Sequence, residues 1–273
     1  MKYAIEIVPF GEMGDPRNIL RLAQAAEGSG WEGLFLWDHL AYAFGWPGVD
    51  PWIALAAVAA TTQKIRLGTD VTPLPRRRPQ VLALSLASLD LLSQGRVIFG
   101  AGLGGTFEEF EAFGEPSSLK LRAEKLDEGL DILNSLMSGE IVNHSGKHFS
   151  VKNVSLSPRP IQQPRIPIWI GGESQAALRR ASRWDGWVIP GIDQDRNVVI
   201  SPSLLSQRVE TIHMHRQSPQ HFDVAISGCS EPAEGSLAGE YSSAGATWWL
   251  ESLFGLRGSV DDMLKRVEAG PPG

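Results

Sequence analysis

Eight short apolar or β-branched runs, nearly all followed by a longer amphipathic stretch, constrain this 273-residue chain more than any other feature. They fall at residues 3–8, 33–36, 65–71, 96–101, 167–170, 186–189, 223–227 and 247–250. Most, such as VIFGA and PIWIG, are apolar without alternation, as expected of parallel strands covered on both faces. Asp15 is placed to cap a helix with Pro16 at its first position. Ile19, Leu22, Ala23 and Ala26 then share one face, and Gly28 and Gly30 end the segment. Asp50-Pro51 repeats the device. Further helices are expected over 79–92 and along the stripe Leu126, Leu130, Leu133 and Met137 up to Gly139. Others open at Ser174, Ser201, Glu231 and Gly258-Ser259.

Repeats of this kind predict one α/β domain over residues 1–273, an eight-stranded parallel (β/α)8 TIM barrel. The competing topology is an open doubly wound sheet, and the handedness of crossovers leaves few others. Residues 140–165 interrupt the rhythm with Gly146-Lys147-His148, alternating Phe149 and Val151, and prolines at 158, 160, 164 and 167. A hairpin and then an extended crossing are expected there, acting either as a lid or as packing over the barrel base.

The net charge of −6, with no basic stripe interleaved with aromatics, argues against nucleic acid as a partner. The longest apolar run, residues 52–60, is too short to span a bilayer, and MKYAIEIVPF lacks the apolar core of a signal peptide. Cys229 is the single cysteine, so no internal disulfide can form and a cytoplasmic home is expected. Nine tryptophans are costly to bury without partners for their N–H groups, so many are expected to line a pocket or an interface. Tryptophans exposed on outer helices would favour a homodimer.

In such barrels the chemistry gathers at the C-terminal ends of the strands. The second run ends in Trp37-Asp38-His39, which delivers a carboxylate and an imidazole to the mouth. Tyr42, Phe44, Trp46 and Trp52 follow as an aromatic loop fit to cover a flat ring, although a helix cap beside a buried histidine would read the same way. The third run ends in Asp70-Val71, where an Asp within a β-branched stretch suggests a bulge. Arg76, Arg77 and Arg78 precede a helix start and either hold an anionic ligand tail or are simply solvated.

The fourth run meets four glycines, Gly100, Gly102, Gly104 and Gly105, which would let backbone approach a ligand; Glu108 and Glu109 beyond them also read as a solvated first helical turn. Gly171-Gly172-Glu173-Ser174 feeds a helix start and is a candidate phosphate site, with Pro190 and Gly191 closing the same site. Neither His213 and His215 nor His144 and His148 converge with acids on one strand end, so no metal is expected. Cys229 reads as packing rather than as a nucleophile.

Together, IRLGTDVTPLPRRRP, LDLLSQGRVIFGAGLG, FEEFEAFG, RIPIWIGG, DGWVIPG, WDHL and AGATWWLE resemble the luciferase-like monooxygenase superfamily, in order and over nearly the whole chain. The resemblance implies a barrel holding FMN or the deazaflavin coenzyme F420 and acting as an oxidoreductase on a small organic substrate. It implies a strained bulge at Asp70-Val71 beneath the ring, often with a non-proline cis peptide. It also implies a phosphate held near Gly171, Gly172, Glu173, Pro190 and Gly191, with Gly102 in the cradle. Asp38 and His39 would be the catalytic pair, Asp38 orienting His39. Deazaflavin-dependent sugar-phosphate dehydrogenases of this superfamily carry a catalytic glutamate where Gly105 stands, so that activity is not expected. The compact barrel, WDHL and the arginines favour the deazaflavin. The competing functions are a hydrolase using Glu108 or Glu109 with Glu231, and a flavin-binding relative without catalysis.

Overall fold

Helices begin where short-range chemistry starts them. The structure, a computed structural model, describes residues 1–273 except 41, 190, 194, 233 and 234. Asp15 accepts a hydrogen bond from Arg17 N at 2.9 Å and opens α1 (Pro16–Gly28). Asp50 accepts from Trp52 N and Ile53 N and opens α2 (Pro51–Thr61). Pro79 starts α3 (Pro79–Leu92), and the predicted leucine stripe lies within α4 (Leu119–Met137). Ser174, Ser201 and Ser259 cap α5 (Gln175–Ala181), α6 (Pro202–His215) and α8 (Val260–Glu268). The helix between them, α7, runs over Gly235–Ser243. The residues just before it, 233 and 234, lie outside the described residues, so the start expected at Glu231 is not described.

The strands are β1 (Lys2–Ile7), β2 (Gly33–Leu36), β3 (Arg66–Thr69), β4 (Val97–Gly102), β5 (Ile168–Gly171), β6 (Gly186–Ile189), β7 (Asp223–Gly228) and β8 (Trp248–Leu253). Each pairs in parallel with its neighbours in sequence, and β8 returns to β1 through Lys2↔Trp248 to Ile7↔Leu253. Pairing of Leu67 with Val97 and Gly68 with Ile98 joins β3 to β4 and closes the ring. An open sheet would leave that edge free, so the chain is a closed parallel α/β barrel. The expected third run is divided. After Thr69 the Asp70–Val71 peptide is cis, and Thr72–Pro73 then pairs with Ala101 and Gly102 at the end of β4.

Alternation along the strands separates two apolar layers. Ile5, Leu34, Leu67, Phe99, Ile170 and Trp187 belong to the layer that also holds the helices' apolar faces. Ala4, Phe35, Ile98, Trp169, Val188, Ala225, Trp248 and Leu250 fill the barrel interior, with Val71 against them. Most tryptophans therefore serve packing rather than a pocket. Trp31, Trp169, Trp184, Trp187, Trp248 and Trp249 are buried, and only Trp46, in a mouth loop, is more than half exposed.

The 140–165 segment forms the expected hairpin, Val142–Ser145 against Ser150–Val154. His144 and His148 bind Glu128 and Glu124 of α4 at 2.9 and 3.0 Å, so the hairpin lies along that helix. The crossing beyond it is anchored where β4 begins, with Gln162 reaching Asp90 and the carbonyl of Val97. This places the crossing at the base and not over the mouth. Among the described residues no helix is long and apolar enough to cross a membrane.

Candidate active site

The inward positions change character toward the C-terminal ends of the strands. Two residues beyond Ala4, Phe35, Gly68, Ala225 and Leu250 stand Glu6, Trp37, Asp70, Ser227 and Ser252. Alternation aims these at the barrel axis as well, so the apolar interior is topped by a polar layer. Glu6 is wholly buried and accepts from Trp37 Nε1 and Ser252 Oγ, both at 2.6 Å. Asp70 is 3% exposed, yet neither carboxyl oxygen meets a donor with hydrogen-bonding geometry, and Ser227 Oγ is also unsatisfied. Burial, and then the adjacent Glu6, raise the Asp70 carboxyl well above the ordinary carboxylate range. A carboxyl raised in this way holds its proton to higher pH than an exposed one, and the protonated form can donate a hydrogen bond.

The bulge explains the glycines. A Cβ on Gly102 would stand 2.5 Å from Val71 Cγ2, and one on Gly171 would stand 3.0 Å from the same atom. Gly100 is closed by backbone, its Cβ falling 2.0 Å from the carbonyl oxygen of Thr69. These glycines make room for the bulge and the Val71 side chain, and backbone approach to a ligand is not what requires them.

Asp38 and His39 reach the mouth but do not form a pair. Asp38, 2% exposed, is held by Arg77 Nη2 at 2.7 Å to both carboxyl oxygens and by Arg76 Nη2 at 3.3 Å. The partner of His39 is Glu109, whose Oε1 lies 3.2 Å from Nδ1 and accepts from Leu40 N at 2.7 Å. Its Oε2 pairs with Arg76. Burial opposes ionisation of Glu109, but His39 and Arg76 outweigh it and hold the group below its usual value. Ionised Glu109 favours the tautomer with its proton on Nδ1, which leaves Nε2 as a hydrogen-bond acceptor. The His39 ring packs edge-on to Phe10 and Phe44, with centroids 6.0 and 5.4 Å away, and against Trp37 at 5.6 Å.

Three expectations are corrected by this network. Asp38 does not orient His39, because two arginines take it up. Arg76 and Arg77 are not free for an anionic tail. Glu109 is a buried ion-pair member and not a solvated helix-start acid, which also removes it as half of a hydrolase pair. No local signal announced the Glu109–His39 contact, since 70 positions separate the two.

Of the expected phosphate residues, Gly191 (φ +107°) lines a cavity of about 340 Å³ together with Trp37, Asp193, Arg196 and Ser252. The carbonyl of Gly172 accepts from Trp187 Nε1 at 2.8 Å, and Glu173 pairs with Arg208 of α6. Pro190 lies outside the described residues. A larger cavity, about 520 Å³, adjoins the first through Val8, Phe254 and Leu256. Burial pushes the Cys229 thiol up to about 11, so little thiolate forms at neutral pH. Among the described residues no three or more His, Cys, Asp or Glu side chains are grouped to hold a metal.

A closed parallel barrel with a divided third strand and its polar residues gathered at the strand ends sets the class of this protein. The chain belongs to the luciferase-like monooxygenase family, whose profile it matches over residues 6–228. It is 35% identical over 180 residues to F420-dependent glucose-6-phosphate dehydrogenase of Microbacterium testaceum, a match covering 63% of this chain and 52% of that protein. The chain thus matches about half the length of that relative. Its fold is similar to the crystal structures of an F420-dependent secondary alcohol dehydrogenase in complex with an F420–acetone adduct (TM-score 0.81, 16% identity, 99% and 98% of the two chains) and of monooxygenase RslO1 from Streptomyces bottropensis (TM-score 0.79, 20% identity, 98% and 97%).

Proposed function

We propose that this chain is an oxidoreductase that works with the deazaflavin coenzyme F420 or with FMN, bound across the barrel mouth, on a small organic substrate. The observation that carries the reading is Asp70-Val71. A buried carboxyl whose neighbours Glu6 and Ser227 leave it without a well-formed hydrogen bond stands beside a valine that tops the apolar interior, and a flat heteroaromatic ring answers both: apolar contact for Val71, polar edge atoms for Asp70. Val71 and Asp70 would meet the ring, with Gly102 and Gly171 keeping the bulge in place. Gly191, with its open Cα, and Gly172 and Glu173 would follow the phosphate-bearing chain. The bound group would supply the redox chemistry, exchanging two electrons with the substrate or, as reduced flavin, with oxygen.

The chain's own residues position groups and handle protons. Glu109 holds His39 through Nδ1, so that Nε2 can take or return a proton of the substrate. Phe10, Phe44 and Trp37 restrict water around that nitrogen. Asp38 acts indirectly, fixing Arg76, which in turn fixes Glu109. With Arg76 and Arg77 engaged, preference for the deazaflavin rests on the 35%-identical relative, an F420-dependent enzyme.

Titration of the purified protein with F420 and with FMN, followed by cofactor absorbance and protein fluorescence, tests the reading. Saturable binding tighter than roughly 100 μM is expected for at least one of them. No spectral change with either would end the proposal. His39→Ala is expected to keep binding and to lose about 10²–10⁴-fold in turnover. Undiminished turnover would remove His39 from the mechanism.

A further inference from the structure

The larger cavity, about 520 Å³, is not needed to explain the bulge, the ion-pair network or the Gly191 rim. Three mouth loops build it, and Phe10, Met13, Phe44, Trp46, Phe254 and Leu256 supply most of its wall. Its volume is that of an ordinary small-molecule site. Glu12 is the one charged residue among its described lining residues, and its carboxylate accepts from Val260 N at 3.4 Å. A phosphate or carboxylate placed there would give up water, find no cation among the described lining residues and face a like charge, a combination that disfavours anions.

Position adds to composition. Phe10 and Phe44 pack with tilted rings, centroids 5.0 Å apart, and form at once a wall of this chamber and two sides of the cage around His39. A molecule inside therefore lies one aromatic layer from the imidazole. The chamber also opens, past Val8, Phe254 and Leu256, into the more polar cavity that holds Trp37 and Gly191. Its lip is unusually apolar for a surface in water: Leu256 is 84% exposed, Trp46 57% and Phe44 41%. Contiguous exposed apolar groups at the edge of a cavity mark a place where something apolar binds.

We propose that this chamber holds the apolar body of the substrate, an uncharged molecule whose one hydroxyl or carbonyl end reaches past the Phe10–Phe44 wall to His39, rather than a sugar phosphate. Calling the ligand a substrate rests on the oxidoreductase reading; the site and its selectivity for neutral apolar molecules do not.

Calorimetric titration of the cofactor-free protein with 2-naphthol and with decan-1-ol, against glucose 6-phosphate and decanoate, reads the selectivity directly. The two neutral probes are expected to bind saturably, and the two anions at least about tenfold more weakly. Gly255 lines the chamber, and Gly255→Trp sets an indole on its wall at little folding cost, because a Cβ there meets nothing within 4 Å and the backbone is outside the left-handed region. It should weaken 2-naphthol about tenfold or more and leave the F420 or FMN titration unchanged. Equal 2-naphthol affinity in Gly255→Trp, tighter binding of glucose 6-phosphate than of 2-naphthol, or competition between 2-naphthol and the cofactor would each overturn the proposal. Cofactor binding without probe binding would sink this inference and spare the oxidoreductase reading. Probe binding lost in Gly255→Trp, with no cofactor binding, would do the reverse.

Discussion

Glu251 and Asp70 are both buried carboxyl residues of one barrel, 0% and 3% exposed, and they are treated in opposite ways. Glu251, on β8, accepts from Ser230 N, Ser230 Oγ and Trp249 Nε1 and pairs with Arg257 at 2.6 Å and Arg266 at 3.4 Å. It ties two strand ends to the last helix. Asp70, at the end of β3, has no such partner. A carboxylate with every lone pair engaged is a structural tie, whereas a buried carboxyl with none does nothing to hold the strands together. Glu109 stands between them: fully engaged like Glu251, but through a histidine at the mouth.

Glu251→Gln should have the largest effect on stability. It would leave Arg257 and Arg266 buried against an uncharged amide, at a cost of about 3–5 kcal/mol in a urea melt. A change under about 1 kcal/mol would show that Glu251 is no tighter a tie than Asp70.

Glu109→Gln should cost less, about 1.5–3 kcal/mol, since Arg76 keeps Asp38. The effect has a pH signature. The folded value of Glu109 lies below its unfolded value, so its contribution is complete above about 4.5 and is lost as pH falls through the lower, folded value. Parent and variant should therefore converge in acid. A gap independent of pH would mean that lost packing, not charge, is responsible.

Asp70→Asn should move stability the other way and least. The folded value of Asp70 is raised, so the parent loses stability as pH climbs out of the ordinary carboxylate range, because the unfolded chain ionises first. Asn has no proton to lose. The variant should be more stable at pH 7 by about 0.5–2 kcal/mol, the span of stabilising single changes, with the gain vanishing toward pH 4. A less stable Asp70→Asn would show that the carboxyl already has a partner, and the contrast with Glu251 would collapse.

Much of the fold was legible because its signals are local. Asp15-Pro16, Asp50-Pro51, Ser174, Ser201 and Ser259 cap the helices whose starts they predicted, since a cap needs only a side chain and N–H groups two or three residues on. The Asp70-Val71 bulge showed itself as an acid in a β-branched run. The tryptophans misled because indole suits a pocket and a core equally. Trp187 and Trp248 find partners inside, in the carbonyl of Gly172 and in Asp223.

What the order of residues determined by itself was the period: strands buried on both faces, helices amphipathic between them, and thus which side chains point to the axis and which to the helices. What it left to the tertiary structure was who meets whom across the mouth. His39 and Glu109 come together, and Asp38 turns to Arg76 and Arg77, only once β2, the bulge and the loop after β4 are brought side by side by closure of the ring. Alternation fixes the direction of a side chain, but its neighbour across a barrel depends on register and stagger, which are properties of the whole closed sheet.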